Sequence, residues 1–451
     1  MEKEANNTME KIVALAKRRG FVYPGSEIYG GLSGTWDYGP LGVELKNNIR
    51  ALWWKQFVTD REDMYGVDSA ILMNPKVWEA SGHVGGFSDP MVECKKCKRR
   101  FRADQLLGKT DLASGKGSDR CPECGGELGE MRQFNMMFKT HVGPVESETS
   151  ISYLRPETAQ GMFVNFKNVV DSFHPKLPFG IAQVGKAFRN EIAPRDFTFR
   201  SREFEIMEFE YFIRGEEWKT HFDDWQKEMM RWIDIVGITA SSVHEVKVPE
   251  EELAHYSRRT TDLYFDFPFG QKELYGLAYR TDFDLSNHAT FSGQKLEYLP
   301  DDAGPITPHV IEPTFGLDRT LLAVLCSAYT EDEMNGETRV YLKFKPAVAP
   351  VKVAVFPLLK NKPELVAKAR EVYGTLKKEL SVLGGRVIFD DNGNIGKRYR
   401  RQDEIGTPFC VTIDFDTLEK DNSVTVRDRD TGAQDRVAIN ELVSLWKQKL
   451  V

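Results

Sequence analysis

The sequence from 188 to 210 brings arginines, carboxylates and an aromatic ring close together. It runs FRNE, then IAPRDFTF, then RSREFEIMEFE. Because alternate residues of an extended strand share one face, Arg189 points with Glu191, and Phe204 points with Glu208 and Glu210. Cations suit phosphates, a ring suits base stacking, and a carboxylate suits an exocyclic amine. The mixture favours a nucleotide site, and the alternative is a salt-bridge ladder on a solvated sheet.

Four of the six cysteines form two C-x-x-C pairs about two dozen residues apart. The residues of these pairs are Cys94, Cys97, Cys121 and Cys124. Four thiolates complete the tetrahedral shell of one zinc ion, so the pattern predicts a structural rather than a catalytic metal. Zinc is favoured because disulfides are rare in the cytosol. The alternatives are reduced thiols and two redox pairs. Cys326 and Cys410 lie in apolar stretches and are predicted to be core residues.

The chain has 451 residues, and its 61 Lys plus Arg against 68 Asp plus Glu give a net charge of −7. With 41% hydrophobic and 29% charged residues, the composition predicts a soluble globular protein and argues against disorder. Mild acidity excludes a histone-like wrapper but not an enzyme that concentrates its cations locally. No apolar run approaches the roughly 20 residues that cross a bilayer, and the N-terminal stretch predicts a charged amphipathic helix rather than a signal peptide. We therefore expect a cytoplasmic protein without a membrane partner.

Sequence patterns predict the elements that position these residues. Residues 1–60 predict a helix, a Gly-rich loop and a second helix, and the polar cysteine segment at 90–130 is typical of an insertion. From 131 to 215, alternation of apolar and charged residues predicts an antiparallel sheet with one functional face. An amphipathic helix over 216–237 ends at Gly237.

A domain boundary is predicted at the proline-rich stretch 346–350. After it, strands alternate with helices, which predicts a small, mostly parallel α/β domain. The basic residues of this domain at 397–401 are Lys397, Arg398, Arg400 and Arg401. Such a run either tracks an RNA backbone or forms a solvated helix face. The basic residues at 95–100, around the first cysteine pair, likewise either contact a nucleic acid or form a solvated face that offsets thiolate charge.

Three stretches, in order, resemble the signature motifs of class II aminoacyl-tRNA synthetases. F-R-N-E followed by R-x-x-x-F resembles the second motif, and G-L-D-R at 316–319 leading into a helix resembles the third. Pro40 and the helix after it resemble the first motif, which lies at the dimer interface in that class.

Within the class, nearly the whole chain is similar to the homodimeric glycyl-tRNA synthetases. The stretches that carry this similarity are W-D-Y-G-P-L-G at 36–42, S-G-H-V at 81–84, F-R-A-D at 101–104, R-P-E-T-A-Q-G at 155–161, Y-R-T-D-F-D-L at 279–285 and E-P-T-F-G at 312–316. Thr314 departs from the serine that relatives often place there, which keeps the hydroxyl and adds a methyl to the pocket.

The resemblance implies an α+β chain with three parts. A class II catalytic domain with an antiparallel sheet spans 1–345, a four-cysteine zinc-knuckle insertion spans 90–130 within it, and an anticodon-binding α/β domain spans 350–451. The implied activity is ligation of glycine to tRNA(Gly) through glycyl-adenylate. The implied partners are ATP with Mg²⁺, glycine, tRNA(Gly) and a second copy of the chain.

By resemblance, the catalytic residues are Arg189, Glu191 and Arg319. Arg189 holds the α-phosphate, Arg200 and Arg319 the γ-phosphate, Phe204 stacks on adenine, and Glu273 is a candidate magnesium ligand. The full set implied for ATP is Arg189, Asn190, Glu191, Phe199, Arg200, Ser201, Arg202, Glu203, Phe204, Glu273, Leu274, Gly316, Leu317, Asp318 and Arg319.

Glycine offers no side chain, so its site must hold the ammonium group and exclude a larger Cα substituent. By resemblance, Glu157, Glu208 and Glu312 hold the ammonium. The full set implied for glycine is Arg102, Glu157, Phe204, Glu205, Ile206, Met207, Glu208, Arg280, Glu312, Pro313, Thr314, Phe315 and Gly316. Two other hypotheses remain: a non-catalytic paralogue that binds tRNA or protein, and a nucleic-acid binder that works through the zinc knuckle.

Overall fold

The computed structural model describes residues 2–104, 106, 120–302, 304–334, 336–381 and 386–450, with the backbone alone for residues 2–6. Part of the insertion predicted at 90–130, namely residues 105 and 107–119, lies outside the described residues. In the described chain no helix is long and apolar enough to span a membrane.

The helices follow the amphipathic patterns of the sequence. Their bounds are α1 Glu2–Arg19, α2 Pro40–Trp54, α3 Pro75–Ala80, α4 His83–Gly86, α5 Ala159–Phe173, α6 Trp218–Val236, α7 Phe283–Ser292, α8 Leu317–Ala328, α9 Pro363–Ser381, α10 Ile395–Ile405 and α11 Leu442–Lys449. The helix predicted over 216–237 is α6, and it ends at Gly237, whose φ of 81° suits glycine.

The strands form several sheets. Their bounds are β1 Val22–Pro24, β2 Trp36–Tyr38, β3 Met64–Gly66, β4 Ser88–Glu93, β5 Arg100–Arg102, β6 Arg132–Asn135, β7 Lys139–His141, β8 Ile151–Tyr153, β9 Phe179–Phe188, β10 Glu203–Ile213, β11 Val243–Lys247, β12 Arg259–Phe267, β13 Gly270–Thr281, β14 His309–Gly316, β15 Tyr329–Met334, β16 Glu337–Leu342, β17 Val353–Pro357, β18 Val387–Phe389, β19 Phe409–Ile413, β20 Ser423–Asp428 and β21 Gln434–Ala438.

The largest sheet has seven strands in the order β11-β12-β13-β14-β10-β9-β3. Its pairs are antiparallel except β3 with β9, so the predicted antiparallel sheet is confirmed with one parallel edge. The register places Glu208 opposite both Gln183 on β9 and Thr314 on β14. One face of this sheet packs α2, α6 and α8 into the main core, where Trp53, Trp232 and related side chains are fully buried. The opposite face carries the polar residues of the candidate site.

The C-terminal domain contains a five-stranded sheet in the order β18-β17-β19-β20-β21. β17 is parallel to β18 and β19, but β20 is antiparallel to both β19 and β21, so the sheet is mixed rather than mostly parallel. The reason is the C-terminal hairpin, which adds two strands without a crossover helix. This domain has its own core, which begins at Val353, whereas Phe344, Val348 and Ala349 belong to the core of the large sheet.

The four paired cysteines lie in the segment that forms a small separate sheet, whose strand order is β5-β4-β6. Cys94 directly follows β4, and Cys97 lies in the turn to β5. In the register, Met91 of β4 faces Arg102 of β5, and Ser88 faces Asn135 of β6. We call these three strands the cysteine-bearing sheet.

Candidate active site

A cavity of about 470 Å³ lies on the polar face of the seven-stranded sheet. Strand alternation brings residues of three neighbouring strands into it, such as Phe204, Thr314 and Gly276. The residues predicted from the sequence that line it are Arg102, Glu157, Arg189, Glu191, Phe199, Arg200, Ser201, Phe204, Glu205, Ile206, Glu208, Glu273, Leu274, Glu312, Thr314, Gly316, Asp318 and Arg319. One cavity therefore combines the residues predicted for the nucleotide with those predicted for the amino acid.

Four predicted residues do not line the cavity, because strand parity turns Met207, Pro313 and Phe315 away from it and Leu317 begins helix α8. Met207, Phe315 and Leu317 are fully buried in the core on the opposite face. Pro313, which shares their parity, is also buried outside the cavity lining. These positions support the site through packing rather than contact.

Three further predicted residues do not line the cavity. Two of them bond to neighbouring loops, and the third is on the surface. Asn190 donates its backbone N–H to Met136 O at 2.7 Å. The Arg202 guanidinium donates to Ser33 O and Glu191 O, which ties the Gly-rich loop to the site. Glu203 is exposed and pairs with a surface lysine.

The guanidiniums of Arg189, Arg200 and Arg319 line one end of the cavity. Arg189 Cζ lies 5.3 Å from the Phe204 ring centroid, and its Nε donates to a backbone carbonyl at 3.1 Å. Arg200 pairs with Glu191 at 3.2 Å. Arg319 contacts Glu273 at 3.1 Å and lies over a phenylalanine ring. This end of the cavity can neutralise a polyphosphate.

Asp318 and Glu205 anchor helix α2 to the site. Lys46 of α2 lies 2.9 Å from Asp318 and 3.0 Å from Glu205, and Arg50 also pairs with Glu205. Asp318 additionally accepts the backbone N–H of Glu205 at 2.6 Å and the Tyr38 hydroxyl. Both predicted site residues are thus part of a shared ionic anchor.

The other end of the cavity is an acidic pocket. We define the acidic pocket as Glu157, Glu208, Glu210, Glu312 and Asp284 together with Arg280. Glu208 accepts from Thr158 N at 2.9 Å and from Thr314 Oγ1 at 3.2 Å, so the threonine hydroxyl is used.

Arg280 is the one member of the acidic pocket with a positive charge, and it lies outside the cavity lining. Its guanidinium donates to Glu312 at 3.0 and 3.1 Å and to Asp284 at 2.7 and 2.8 Å. It is 1% exposed, and its Cζ lies 3.7 Å from the Tyr256 ring centroid. Arg280 therefore fixes Glu312 in place instead of facing a ligand directly.

Burial leaves the acidic pocket with unusual proton affinities. Burial raises the pKa of Glu312 to about 8, because Glu208 and Glu157 add repulsion that Arg280 only partly offsets. Burial and Glu157 also raise the pKa of Glu208. The pKa of Glu210 is raised well above its ordinary value by burial and by Glu312, and neither carboxyl oxygen has a hydrogen-bond partner among the described residues.

Glu157 behaves in the opposite way. Burial alone would raise its pKa, but His83, Arg280 and Gln160 together lower it well below the usual range. His83 Nε2 lies 3.2 Å from one carboxylate oxygen, and Gln160 donates to the other at 3.0 Å. This acid is therefore held in its anionic form.

Some cavity and pocket residues were not predicted to have a role from the sequence. His83 lies in the S-G-H-V motif, which was the available signal. Asp262 lines the cavity beside Glu273, and burial and Glu273 raise its pKa to about 7. A lone aspartate in a strand offers no such signal in the sequence.

The four predicted metal-binding cysteines converge. Their sulfurs all lie within 4.8 Å of one another, and the Cys94–Cys124 and Cys97–Cys121 separations are 3.5 and 3.7 Å. Four thiolates around one zinc at 2.3 Å lie about 3.8 Å apart, so the cluster fits a tetrahedral zinc ion.

The basic run of α10 has largely internal partners. Arg398 is 1% exposed and donates to the backbone oxygens of Pro357, Asp391 and Gly393. Arg401 pairs with Asp390 at 2.7 Å. Arg398 is therefore a structural residue, neither an RNA contact nor part of a solvated face, whereas Lys397 is exposed and both alternatives stay open for it.

Two family models match this chain. The model of the tRNA synthetase class II core domain (G, H, P, S and T) matches residues 142–328, and the model of an anticodon binding domain matches residues 352–449. Curated proteins called glycine–tRNA ligase, from Bacillus anthracis and Acetivibrio thermocellus, are both 51% identical to it. The alignments cover 98% and 99% of this chain and 99% of each relative.

The chain belongs to the glycine–tRNA ligase family. A third member, from Caldanaerobacter subterraneus subsp. tengcongensis, is also 51% identical over 98% of both chains. The class II core and anticodon-binding domains predicted for the glycine–tRNA ligase family are confirmed. The core match spans β10, β13 and β14, the strands that carry the cavity.

Proposed function

We propose that this chain activates glycine with ATP and transfers it to the 3′ end of tRNA(Gly). The observation that carries the proposal is the single cavity with arginines and Phe204 at one end and the acidic pocket at the other. The carboxylate of an amino acid held by its ammonium in the acidic pocket would point toward a nucleotide phosphate held by the arginines.

In the first step, a glycine carboxylate oxygen forms a bond to the α-phosphorus of ATP, and the bond to pyrophosphate breaks. In-line phosphoryl transfer needs positioning and charge neutralisation more than proton transfer. We assign Arg189 to the α-phosphate and Arg200 and Arg319 to the leaving phosphates. In the second step, a ribose hydroxyl of tRNA attacks the glycyl carbonyl, and AMP leaves.

The acidic pocket supports selection of a compact cation. Its acids outnumber Arg280, and the carboxyl oxygens of Glu210 have no hydrogen-bond partner among the described residues. Buried carboxylates without a counter-charge are costly, so an ammonium group is the ligand that this set favours. Larger amino acids are rejected by the pocket walls, to which the methyl of Thr314 contributes.

Magnesium is expected to accompany ATP. Glu273 and Asp262 supply carboxylate oxygens beside Arg319, and oxygen ligands suit Mg²⁺. When bound, the ion neutralises phosphate charge.

We assign the cysteine cluster to a structural zinc ion, because four thiolates leave no open coordination position. Metal analysis of the purified chain should find about one zinc per chain. Replacing Cys97 with serine should remove the zinc, whereas Cys326→Ser should retain it. Full zinc content in the Cys97 variant would contradict the assignment.

We also propose that two copies form a homodimer near the first motif, as the resemblance implies. Exposed apolar side chains just before the Gly-rich loop at 30–40 support an interface there, since Ile28 and Tyr29 are 89% and 87% exposed. Light scattering should give twice the chain mass, and Tyr29→Asp should shift it toward the monomer. The predicted domain division at 345–350, supported by two separate cores, and the cytoplasmic location remain predictions.

The decisive experiment is ATP–pyrophosphate exchange with each amino acid, with and without tRNA. We expect exchange with glycine, little with alanine and none with bulkier amino acids, followed by charging of tRNA(Gly). Exchange with no amino acid, or equal exchange with bulky ones, would overturn the proposal. Exchange without charging would separate adenylate formation from tRNA recognition.

A further inference from the structure

The inner end of the cysteine-bearing sheet forms a wall of the cavity. Arg102 of β5 and Met136, next to β6, both line it. Arg102 is held by Asp89 of β4 at 2.5 Å and by Asp104 at 2.7 Å. Met136 accepts the backbone N–H of Asn190 at 2.7 Å, so the wall is bonded to the second motif.

Phe87 lies at the root of this wall, directly before β4. Its carbonyl accepts from Met136 N at 3.0 Å, and its amide donates to His83 O at 3.2 Å. Its ring also lies 5.2 Å from the His83 ring. The backbone of Phe87 is thus fixed on both sides, and its ring has a defined place.

That place is against Arg189. Arg189 Cζ lies 5.4 Å from the Phe87 ring centroid and 5.3 Å from the Phe204 ring centroid. Both distances are within the roughly 6 Å range of cation–π attraction. Aromatic faces attract a guanidinium without consuming its N–H donors. Among the described residues, the one hydrogen bond of the Arg189 guanidinium is to Pro156 O, so its other donors remain available.

We propose that Phe87 is a positioning residue for adenylate formation, holding the Arg189 guanidinium in place together with Phe204. The proposal rests on the proposed function, because it takes Arg189 as the group that meets the α-phosphate. An arginine side chain has many rotamers, and a ring on one face restricts them before ATP arrives. A group fixed in advance stabilises the transition state without reorganising during the reaction.

The test compares Phe87→Leu, which keeps apolar volume, with Phe87→Tyr, which keeps the ring face. In ATP–pyrophosphate exchange, Phe87→Leu should lower kcat by roughly tenfold, whereas Phe87→Tyr should recover most of that loss. The KM for glycine and the thermal midpoint should change little in both. Phe173→Leu is the control for the substitution itself, because Phe173 is 65% exposed and is not among the residues that line the cavity.

A double-mutant cycle distinguishes positioning from general packing. In an Arg189→Ala background, Phe87→Leu should cost at most about twofold, because the group it positions is absent. An undiminished effect in that background, equal losses for leucine and tyrosine, or a change confined to the glycine KM would each overturn the proposal. If the unmodified chain exchanges pyrophosphate with glycine and Phe87→Leu matches it, this inference fails alone. If the unmodified chain shows no exchange, the proposed function fails.

Discussion

The chain buries clusters of charge in two places and balances them differently. In the acidic pocket, five acids face one arginine and His83. In the C-terminal half, a second cluster, which we call the closed charge cluster, has three arginines and three aspartates. Its members are Arg339, Arg427, Arg429, Asp332, Asp403 and Asp430.

The closed charge cluster satisfies its own members. Asp403 receives both terminal nitrogens of Arg427 at 2.8 and 3.0 Å, and Arg339 binds Asp332 at 2.8 and 2.5 Å. Arg429 donates to two backbone carbonyls. Hydrogen bonding to Asp332 raises the pKa of Arg339. A cluster complete in itself joins β16, α10 and β20, whereas the incomplete acidic pocket has capacity for a cationic ligand.

The largest expected effect comes from a substitution that breaks the closed charge cluster. Asp403→Asn leaves two buried guanidiniums short of negative charge, so we expect the free energy of unfolding to fall by about 3–5 kcal/mol. Urea denaturation measures this change. The glycine KM should stay within about twofold, because Asp403 lies outside the cavity lining. Asp171→Asn, in an exposed pair with Lys167, is the control and should cost below about 1 kcal/mol.

The next effect removes a charge that the cavity leaves available. Arg189→Ala should slow ATP–pyrophosphate exchange by about 10²–10³, the scale for losing one donor to a developing oxyanion. Its unfolding free energy should change little, unlike that of Asp403→Asn. The exposed Arg231 gives a control alanine variant. A near-normal exchange rate would remove Arg189 from the phosphate site.

A smaller effect is expected when one acid of the incomplete pocket becomes neutral. Glu157→Gln keeps the shape and loses the charge, so the glycine KM should rise by roughly 10- to 100-fold. The ATP KM should rise far less in the same steady-state assay. Equal increases in both would argue against an ammonium role. Glu364→Gln, at an exposed position, controls for the substitution itself.

A comparable effect on the glycine KM follows from pH. Because the pKa of Glu312 is about 8, the free pocket carries an extra proton below that pH, and ammonium binding must expel it. The glycine KM should therefore fall as pH rises from about 6 to 8, by at most about tenfold per unit, and level off above. Glu312→Gln should flatten this slope even if its KM is high throughout. A glycine KM that rises with pH over this range would contradict the assignment.

Much of the fold could be predicted from local sequence patterns, namely amphipathic spacing in helices and alternation in strands. Amphipathic spacing predicts α6 and its stop at Gly237, and alternation predicts the shared face of Phe204 and Glu208. The same alternation explains why Met207 and Phe315 miss the cavity, since contiguous motif stretches include both faces of a strand. The family resemblance identifies whole motif stretches, and strand alternation decides which of their residues face the cavity.

Other features depend on distant partners and have no local pattern. Arg398 has the sequence context of a surface helix, yet it is buried against the carbonyl of Pro357, 41 positions away, as well as two carbonyls of the preceding loop. His83 and Glu157 are 74 positions apart and meet only in the folded chain. The mixed order of the C-terminal sheet likewise depends on how its last hairpin pairs.

The two cysteines outside the cluster, Cys326 and Cys410, leave the cluster open to selective thiol labelling. Burial raises the pKa of Cys326 to about 12 and that of Cys410 further still, which keeps both as unreactive thiols at neutral pH. A colorimetric thiol reagent applied to the folded chain would thus report on Cys94, Cys97, Cys121 and Cys124 alone. If a metal protects these four thiols, labelling should be slow and should accelerate when a chelator is added. The labelling rate would then report how much of the cluster holds metal.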